Sequence, residues 1–204
     1  IQNTGTLDFS EVAQNGLAVH GDIVLNAAGT LNMGSHQHSL DVGKSIIVTS
    51  AGSNLTADLL LNGGSLLFDA GLLNASSFLL NYTGTLTSSQ LGATVNFTNI
   101  ENIFDENGSN QYVLASGDWS GVSGQLTAGN LGKYKAQFSA DSTTNALVVT
   151  FSKNGYIWAG TNESSIWNGT DFSAEEGVSK YNGNSNLVFS DSAANTSSIK
   201  LTGS

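Results

Sequence analysis

Apolar residues along the first ninety positions come in short bursts, separated by polar or small residues. Segments 7–9, 17–19, 23–25, 45–49, 58–61, 66–68 and 78–80 each hold two or three aliphatic or aromatic side chains, bounded by Gly, Asn, Ser or Asp. Bursts of that length with that punctuation predict β-strands joined by tight turns. A helix would need apolar residues at i, i+3, i+4 and i+7 over several turns. No window keeps that spacing, and each interior Gly would cost a helix about 1 kcal/mol.

One pattern returns. Leu25-Asn26-Ala27-Ala28-Gly29-Thr30-Leu31 reappears as Leu80-Asn81-Tyr82-Thr83-Gly84-Thr85-Leu86, with a shortened form at Leu61-Asn62-Gly63-Gly64-Ser65-Leu66. Each copy reads as strand, turn, strand, because Asn and Gly tolerate the left-handed backbone that other residues resist. Such a unit has an apolar face it cannot bury alone, so the expected solution is to stack on the next copy in an all-β solenoid. Gly29, Gly64 and Gly84 are unevenly spaced, the first gap being much the wider. With about 18–24 residues per coil, that wider gap is expected to hide one more coil around positions 46–55.

From about position 94 the strands lengthen. Segments 95–97, 100–104, 112–114, 134–140 and 147–151 read as strands, with Leu147, Val149 and Phe151 on one face. Segment 141–145 reads as a hairpin turn, or as part of wider coils that close the stack. The expected organisation is one stack over 1–155, with the wider strands closing it, and the start of a second block over 156–204. The chain opens in mid-pattern at Ile1 and stops after a strand at Thr202-Gly203-Ser204, which reads as a fragment of a longer chain.

Composition narrows the partners. Only 11% of residues are charged, against about 25% in an ordinary soluble domain. The six basic residues are all Lys and face sixteen acidic ones, a net charge of −10. That balance argues against nucleic acid and anionic membrane surfaces as partners, and solubility alone accounts for it. The absence of Cys excludes disulfides, thiolate metal sites and a cysteine nucleophile. The absence of Pro suits uninterrupted strand ladders. No apolar run reaches the length of about 18 residues that a spanning helix needs, so the chain is not expected to be membrane-embedded.

Three Trp-x-Gly units stand at Trp119-Ser120-Gly121, Trp158-Ala159-Gly160 and Trp167-Asn168-Gly169, and the last two lead into Tyr181-Asn182-Gly183 and Leu187-Val188-Phe189-Ser190-Asp191. With these residues the sequence resembles the passenger regions of bacterial autotransporters, in particular large β-strand-repeat proteins of the Verrucomicrobia and Planctomycetes type. Their blocks open on Trp-x-Gly, a second Trp and a Tyr-x-x-Gly…Val-x-Phe-x-Asp strand, which segment 156–191 matches. A further Trp is usual after the second, and Asp171-Phe172-Ser173 stands there instead. The resemblance implies a right-handed parallel β-helix, further repeats and a C-terminal outer-membrane barrel in the parent chain, and display or release at the cell surface. It carries over no catalytic residue, because the shared pattern is scaffold.

Candidate chemistry is sparse. In Gly34-Ser35-His36-Gln37-His38, two His at i, i+2 share a strand face and could both ligate a metal. A polar turn holding two histidines explains the same residues, and no cofactor is expected. Asp8, Asp22, Asp41 and Asp58 recur at 14, 19 and 17 residues, so two could stack within the reach that glycoside hydrolysis needs; solvated turn carboxylates are the plainer reading. Asp105–Asn110 faintly resembles a calcium loop but has Ser116 where a bidentate Glu belongs. Trp119, Trp158, Trp167 and Tyr181 could form a platform for sugar rings, or could plug the step between blocks. Eight Asn-x-Ser/Thr sequons, among them Asn54, Asn81, Asn96 and Asn168, matter as sugar acceptors only in a eukaryotic source.

The reading is an exported, non-enzymatic surface solenoid, a stalk or adhesin making weak multivalent contacts with glycans or host-surface molecules. The alternative is a carbohydrate-active enzyme, a polysaccharide hydrolase or lyase, on the same scaffold.

Overall fold

A computed structural model describes residues 5–12, 21–26, 28–100, 103, 110–132, 134–153, 156–158, 166–167, 172–173, 187–189 and 200–201. The chain divides into two compact units, Ile1–Leu131 with Ala136–Phe151, and Gly132–Lys135 with Ser152–Ser204.

The first unit is a parallel β-solenoid. Its chain alternates between two sheets. β1 (Thr6–Asp8), β3 (Thr30–Asp41), β5 (Ser53–Asn62), β7 (Leu80–Thr83) and β10 (Gln111–Ser116) enter one, the long sheet; β8 (Leu86–Ser88) continues β7 alongside β5. β2 (Ile23–Leu25), β4 (Ser45–Val48), β6 (Ser65–Asp69), β9 (Ala93–Thr98) and β11 (Leu126–Ala128) fill the other, the short sheet. Along both stacks the pairing is parallel. In the long sheet Thr6 pairs with Thr30, Thr30 with Asn54 and Asn54 with Asn81, so equivalent positions return at nearly equal intervals. Leu80 then pairs with Ala115, after a longer excursion of the chain. Coils of the long sheet therefore lie at or above the upper end of the expected length. The reason is that β3 and β5 are twelve and ten residues long and the later loops lengthen.

Period-two alternation decides what is buried. β5 reads Ser-Asn-Leu-Thr-Ala-Asp-Leu-Leu-Leu-Asn and alternates strictly between buried and half-buried positions. Leu55, Ala57, Leu59 and Leu61 point inward, while Asn54, Thr56, Asp58, Leu60 and Asn62 point out. β4 and β6 repeat this with Ile46, Val48, Leu66 and Phe68. Within the short sheet the rings of Phe68 and Phe97 lie tilted against each other at 6.3 Å, and across the core Phe97 meets Phe151 edge-on at 5.2 Å. Inward residues also align from level to level, as in the columns Leu7–Leu31–Leu55–Tyr82 and Leu25–Val48–Phe68–Phe97. Parallel stacking in register turns one good core residue per strand into a continuous apolar column.

The three copies of the recurring motif occupy three different places. Leu25–Leu31 carries the chain from the short sheet to the long one, and Leu61–Leu66 carries it back. Leu80–Leu86 stays within the long sheet, where Gly84 separates β7 from β8. Gly84 has φ +134, and a Cβ there would drive into the Ala57 carbonyl. No additional coil lies at 46–55: Ile46 belongs to β4 of one level and Leu55 to β5 of the next. The repeat that register obeys is instead Gly5-Thr6-Leu7 under Gly29-Thr30-Leu31, with Thr30 N–H bonded to the Gly5 carbonyl at 3.1 Å.

At the far end the parallel order stops. β13 (Ala146–Lys153) pairs antiparallel with β10, and β12 (Tyr134–Asp141) lies beside it across the turn 142–145. Segment 100–104, expected to be a strand, forms none at Ile100 or Ile103, and its other residues lie outside those described. The 34–38 segment belongs to β3, and Phe78 and Leu79 belong to the loop before β7.

In the second unit, β14 (Tyr156–Trp158) pairs antiparallel with β16 (Phe172–Ser173) and parallel with β17 (Leu187–Phe189). β15 (Ile166–Trp167) pairs parallel with β18 (Lys200–Leu201).

Candidate functional site

The outer face of the long sheet gathers most of the polar candidates. Alternation turns one residue in two of β1, β3, β5, β7 and β8 outward, and register sets those residues in columns. One runs Thr6–Thr30–Asn54–Asn81 and the next Asp8–Asn32–Thr56–Thr83. Further along the strands Gln37 pairs with Asp58, Ser39 with Leu60, Leu60 with Thr87, and Asp41 with Asn62. Amides bridge between levels: Asn81 Nδ2 donates to Asn54 Oδ1 at 3.1 Å, and Asn62 Nδ2 donates to Asp41 Oδ1 at 2.8 Å.

Each carboxylate here sits opposite a neutral polar group. Asp8 pairs with Asn32, Asp58 with Gln37, Asp41 with Asn62, and Asp69 of β6 with Thr98. Two carboxylates at facing positions of adjacent strands would repel, whereas an amide or hydroxyl bonds to the charge. Each carboxylate also accepts a bond through its Oδ1. Asp8 Oδ1 accepts from Ser10 N–H at 2.9 Å, Asp22 Oδ1 from Ser45 N–H at 2.8 Å, and Asp58 Oδ1 from Thr85 N–H at 2.6 Å. Asp41 Oδ1 accepts from the Ser39 hydroxyl at 2.6 Å as well as from Asn62.

Bonds from Ser10 hold the Asp8 carboxyl below its ordinary range, and the Ser39 hydroxyl, followed by the Asn62 amide, does the same for Asp41. Asp118 and Asp141 are lowered in the same way by Ser120 and by Thr144 with Thr143. A general acid for glycoside cleavage needs the opposite displacement. Register thus brings Asp8, Asp41 and Asp58 onto one face but next to amides, with no two of them adjacent.

Of the two strand histidines, His38 has a described side chain. His38 pairs with Leu59, an inward position, and is half-buried. β3 bulges between Asn32 and Gln37, where Gly34 turns with φ +65 against Ser10. The His36 side chain lies outside the described residues. Among the described residues no group of three or more His, Cys, Asp or Glu is placed to hold a metal ion.

Trp119 is a core residue. It is 2% exposed, its indole N–H donates to the Ser116 carbonyl at 3.0 Å, and its ring packs on Tyr82 at 5.8 Å. Tyr82 is buried in turn, its hydroxyl bonded to the carbonyls of Ala57 at 2.7 Å and Thr85 at 3.0 Å. Burial, followed by the nearby Asp58 charge, raises the phenol well above its ordinary value. A ring enclosed in this way presents no face to a sugar. Trp158 and Trp167 lie in β14 and β15, where only the backbone is described, and Tyr181 lies outside the described residues. Asp105 and its neighbours to Ser109 lie outside them too.

Sequence reasoning missed what makes this face regular. Gln37, Asn54, Thr56, Asn62, Thr83 and Thr87 stand out only once the register is known, although the return of Gly-Thr-Leu at 5–7 and 29–31 was a signal for it. Among the described residues no helix is long and apolar enough to cross a membrane. No family model, no curated protein and no solved structure matches the chain.

Proposed function

We propose that the chain is part of an exported bacterial surface protein, a stalk or adhesin whose outer long-sheet face makes weak, repeated contacts with glycans or other host-surface molecules. One observation carries this reading: amides and hydroxyls line that face in register, and each of its carboxylates is bonded within the protein to a neutral neighbour. Such a surface offers many similar hydrogen-bonding groups and no reacting pair. Single contacts of this kind are weak, so useful attachment comes from many copies acting together.

The test uses immobilised mucin and plant glycans. The chain clustered on beads is expected to be retained and the free chain to wash off, with no new reducing ends released. Release of reducing ends would replace this reading with that of a polysaccharide-degrading enzyme. Failure of the clustered chain to bind any of the surfaces would remove the adhesive role.

A further inference from the structure

Four sequons fall where side chains are described: Asn54, Asn74, Asn81 and Asn96. Three of them are locked into strands. Asn54 Nδ2 donates to the Gly52 carbonyl at 3.0 Å, and Asn81 Nδ2 donates to Asn54 Oδ1. Asn96 pairs with Leu67 in the short sheet, and its amide oxygen lies against Gly129, where a Cβ would collide with it.

Asn74 is placed differently. It lies in the loop between a single 3-10 turn at Ala70–Leu72 and β7, outside both sheets. Ala75, Ser76 and Ser77 beside it are exposed. Its Oδ1 accepts from Ser76 N–H at 2.9 Å, Ser77 N–H at 2.6 Å and the Ser76 hydroxyl at 3.4 Å. Its Nδ2 donates no hydrogen bond among the described residues.

We infer that Asn74 is an N-glycan acceptor site of the folded solenoid. An amide nitrogen is a poor nucleophile because its lone pair is delocalised onto the carbonyl oxygen. Three donors converging on Oδ1 stabilise the negative charge that gathers there as Nδ2 gives up a proton to a base of the transferase. Nδ2 then bonds to the anomeric carbon of a sugar carried as a phosphate or pyrophosphate ester. The bond from that carbon to the ester oxygen breaks, and the leaving phosphate keeps the electron pair. Nothing is oxidised or reduced, and nothing in the chemistry confines it to one kind of cell, so the restriction to a eukaryotic source expected from sequence does not bind this site. The loop can be drawn into a transferase without breaking a strand ladder, whereas Asn54, Asn81 and Asn96 must first be pulled out of one.

The experiment incubates the folded chain with a limiting amount of a soluble, sequon-specific N-glycosyltransferase and UDP-glucose, and follows each site by peptide mass spectrometry. Synthetic peptides spanning the four sequons serve as unfolded controls. In the folded chain Asn74 is expected to gain sugar at least about tenfold faster than Asn54, Asn81 or Asn96, while the peptides react at similar rates. Ser76→Ala removes the sequon on an exposed side chain and is expected to abolish labelling at Asn74 without changing the circular dichroism, and Ser76→Thr to retain it. Equal labelling of the strand sites in the folded chain would overturn the inference. So would an Asn74 that stays bare while its peptide is labelled, or labelling that survives Ser76→Ala.

Discussion

Leu7 and Leu55 occupy one inward column, Leu7–Leu31–Leu55–Tyr82, two levels apart. Truncating each to Ala tests whether that column is a stack with an interior and an end. Leu55 is fully buried, and Leu7 is 44% exposed. Replacing a buried Leu by Ala costs about 2–5 kcal/mol, the transfer of the lost carbons plus the cavity left behind. The Leu55 cavity has rigid walls. Tyr82 above it is fixed by its hydroxyl bonds to Ala57 and Thr85 and by the Trp119 ring, so the site cannot collapse. We expect a loss of about 3–4 kcal/mol. Leu7 already keeps nearly half its surface in water and, among the described residues, has a registered neighbour on one side only. Its truncation forfeits about half the transfer term and opens a notch rather than a cavity, about 1 kcal/mol or less. Urea unfolding read by circular dichroism gives both values if the m-value is unchanged. Hydrogen exchange should place the Leu7→Ala effect in β1, the end strand of the long sheet. Equal losses at the two positions, or a loss below about 1 kcal/mol at Leu55, would refute the stacked-column account.

Two further expectations rest on single residues. Gly43 has φ +79 in open space, so Gly43→Ala meets only backbone strain of about 1–2 kcal/mol; Gly84→Ala adds a collision with the Ala57 carbonyl and is expected to cost about 3 kcal/mol or more, both read from urea midpoints. Because Asp41 is held below its ordinary range in the folded chain, it binds its proton less readily there than in the unfolded chain. Its stabilisation is therefore present above the unfolded carboxylate value of about 3.9 and is lost as pH falls through the lower folded value. Midpoints measured from neutral pH down into acid should show Asp41→Asn less stable than the parent at first and converging on it as the acid titrates. A constant gap across that range would show that the charge is not the cause.

Linear pattern was enough for the class of structure. Alternating inward and outward side chains, short apolar bursts and Asn-Gly punctuation are local properties, and they identified strands at Ile23–Leu25, Ser45–Val48 and Ser65–Asp69 to within a residue or so. They also required stacking, since no such strand can bury its apolar side alone. Which strand lies over which was settled only by the packed coils. The same Leu-Asn…Gly…Leu wording serves a corner in one direction, a corner in the other and a break within a sheet, because a turn signal fixes a local bend and not its destination. Register also placed Asp8, Asp41 and Asp58 beside amides and enclosed Trp119 against Tyr82, neither of which a linear pattern contains. Hydrophobic periodicity is read along one chain segment, whereas neighbours across a sheet come from pairing residues far apart in sequence, as Leu31 with Leu55 or Ile46 with Leu66. That pairing is chosen by how well whole columns pack, a quantity that exists only once the coils are stacked.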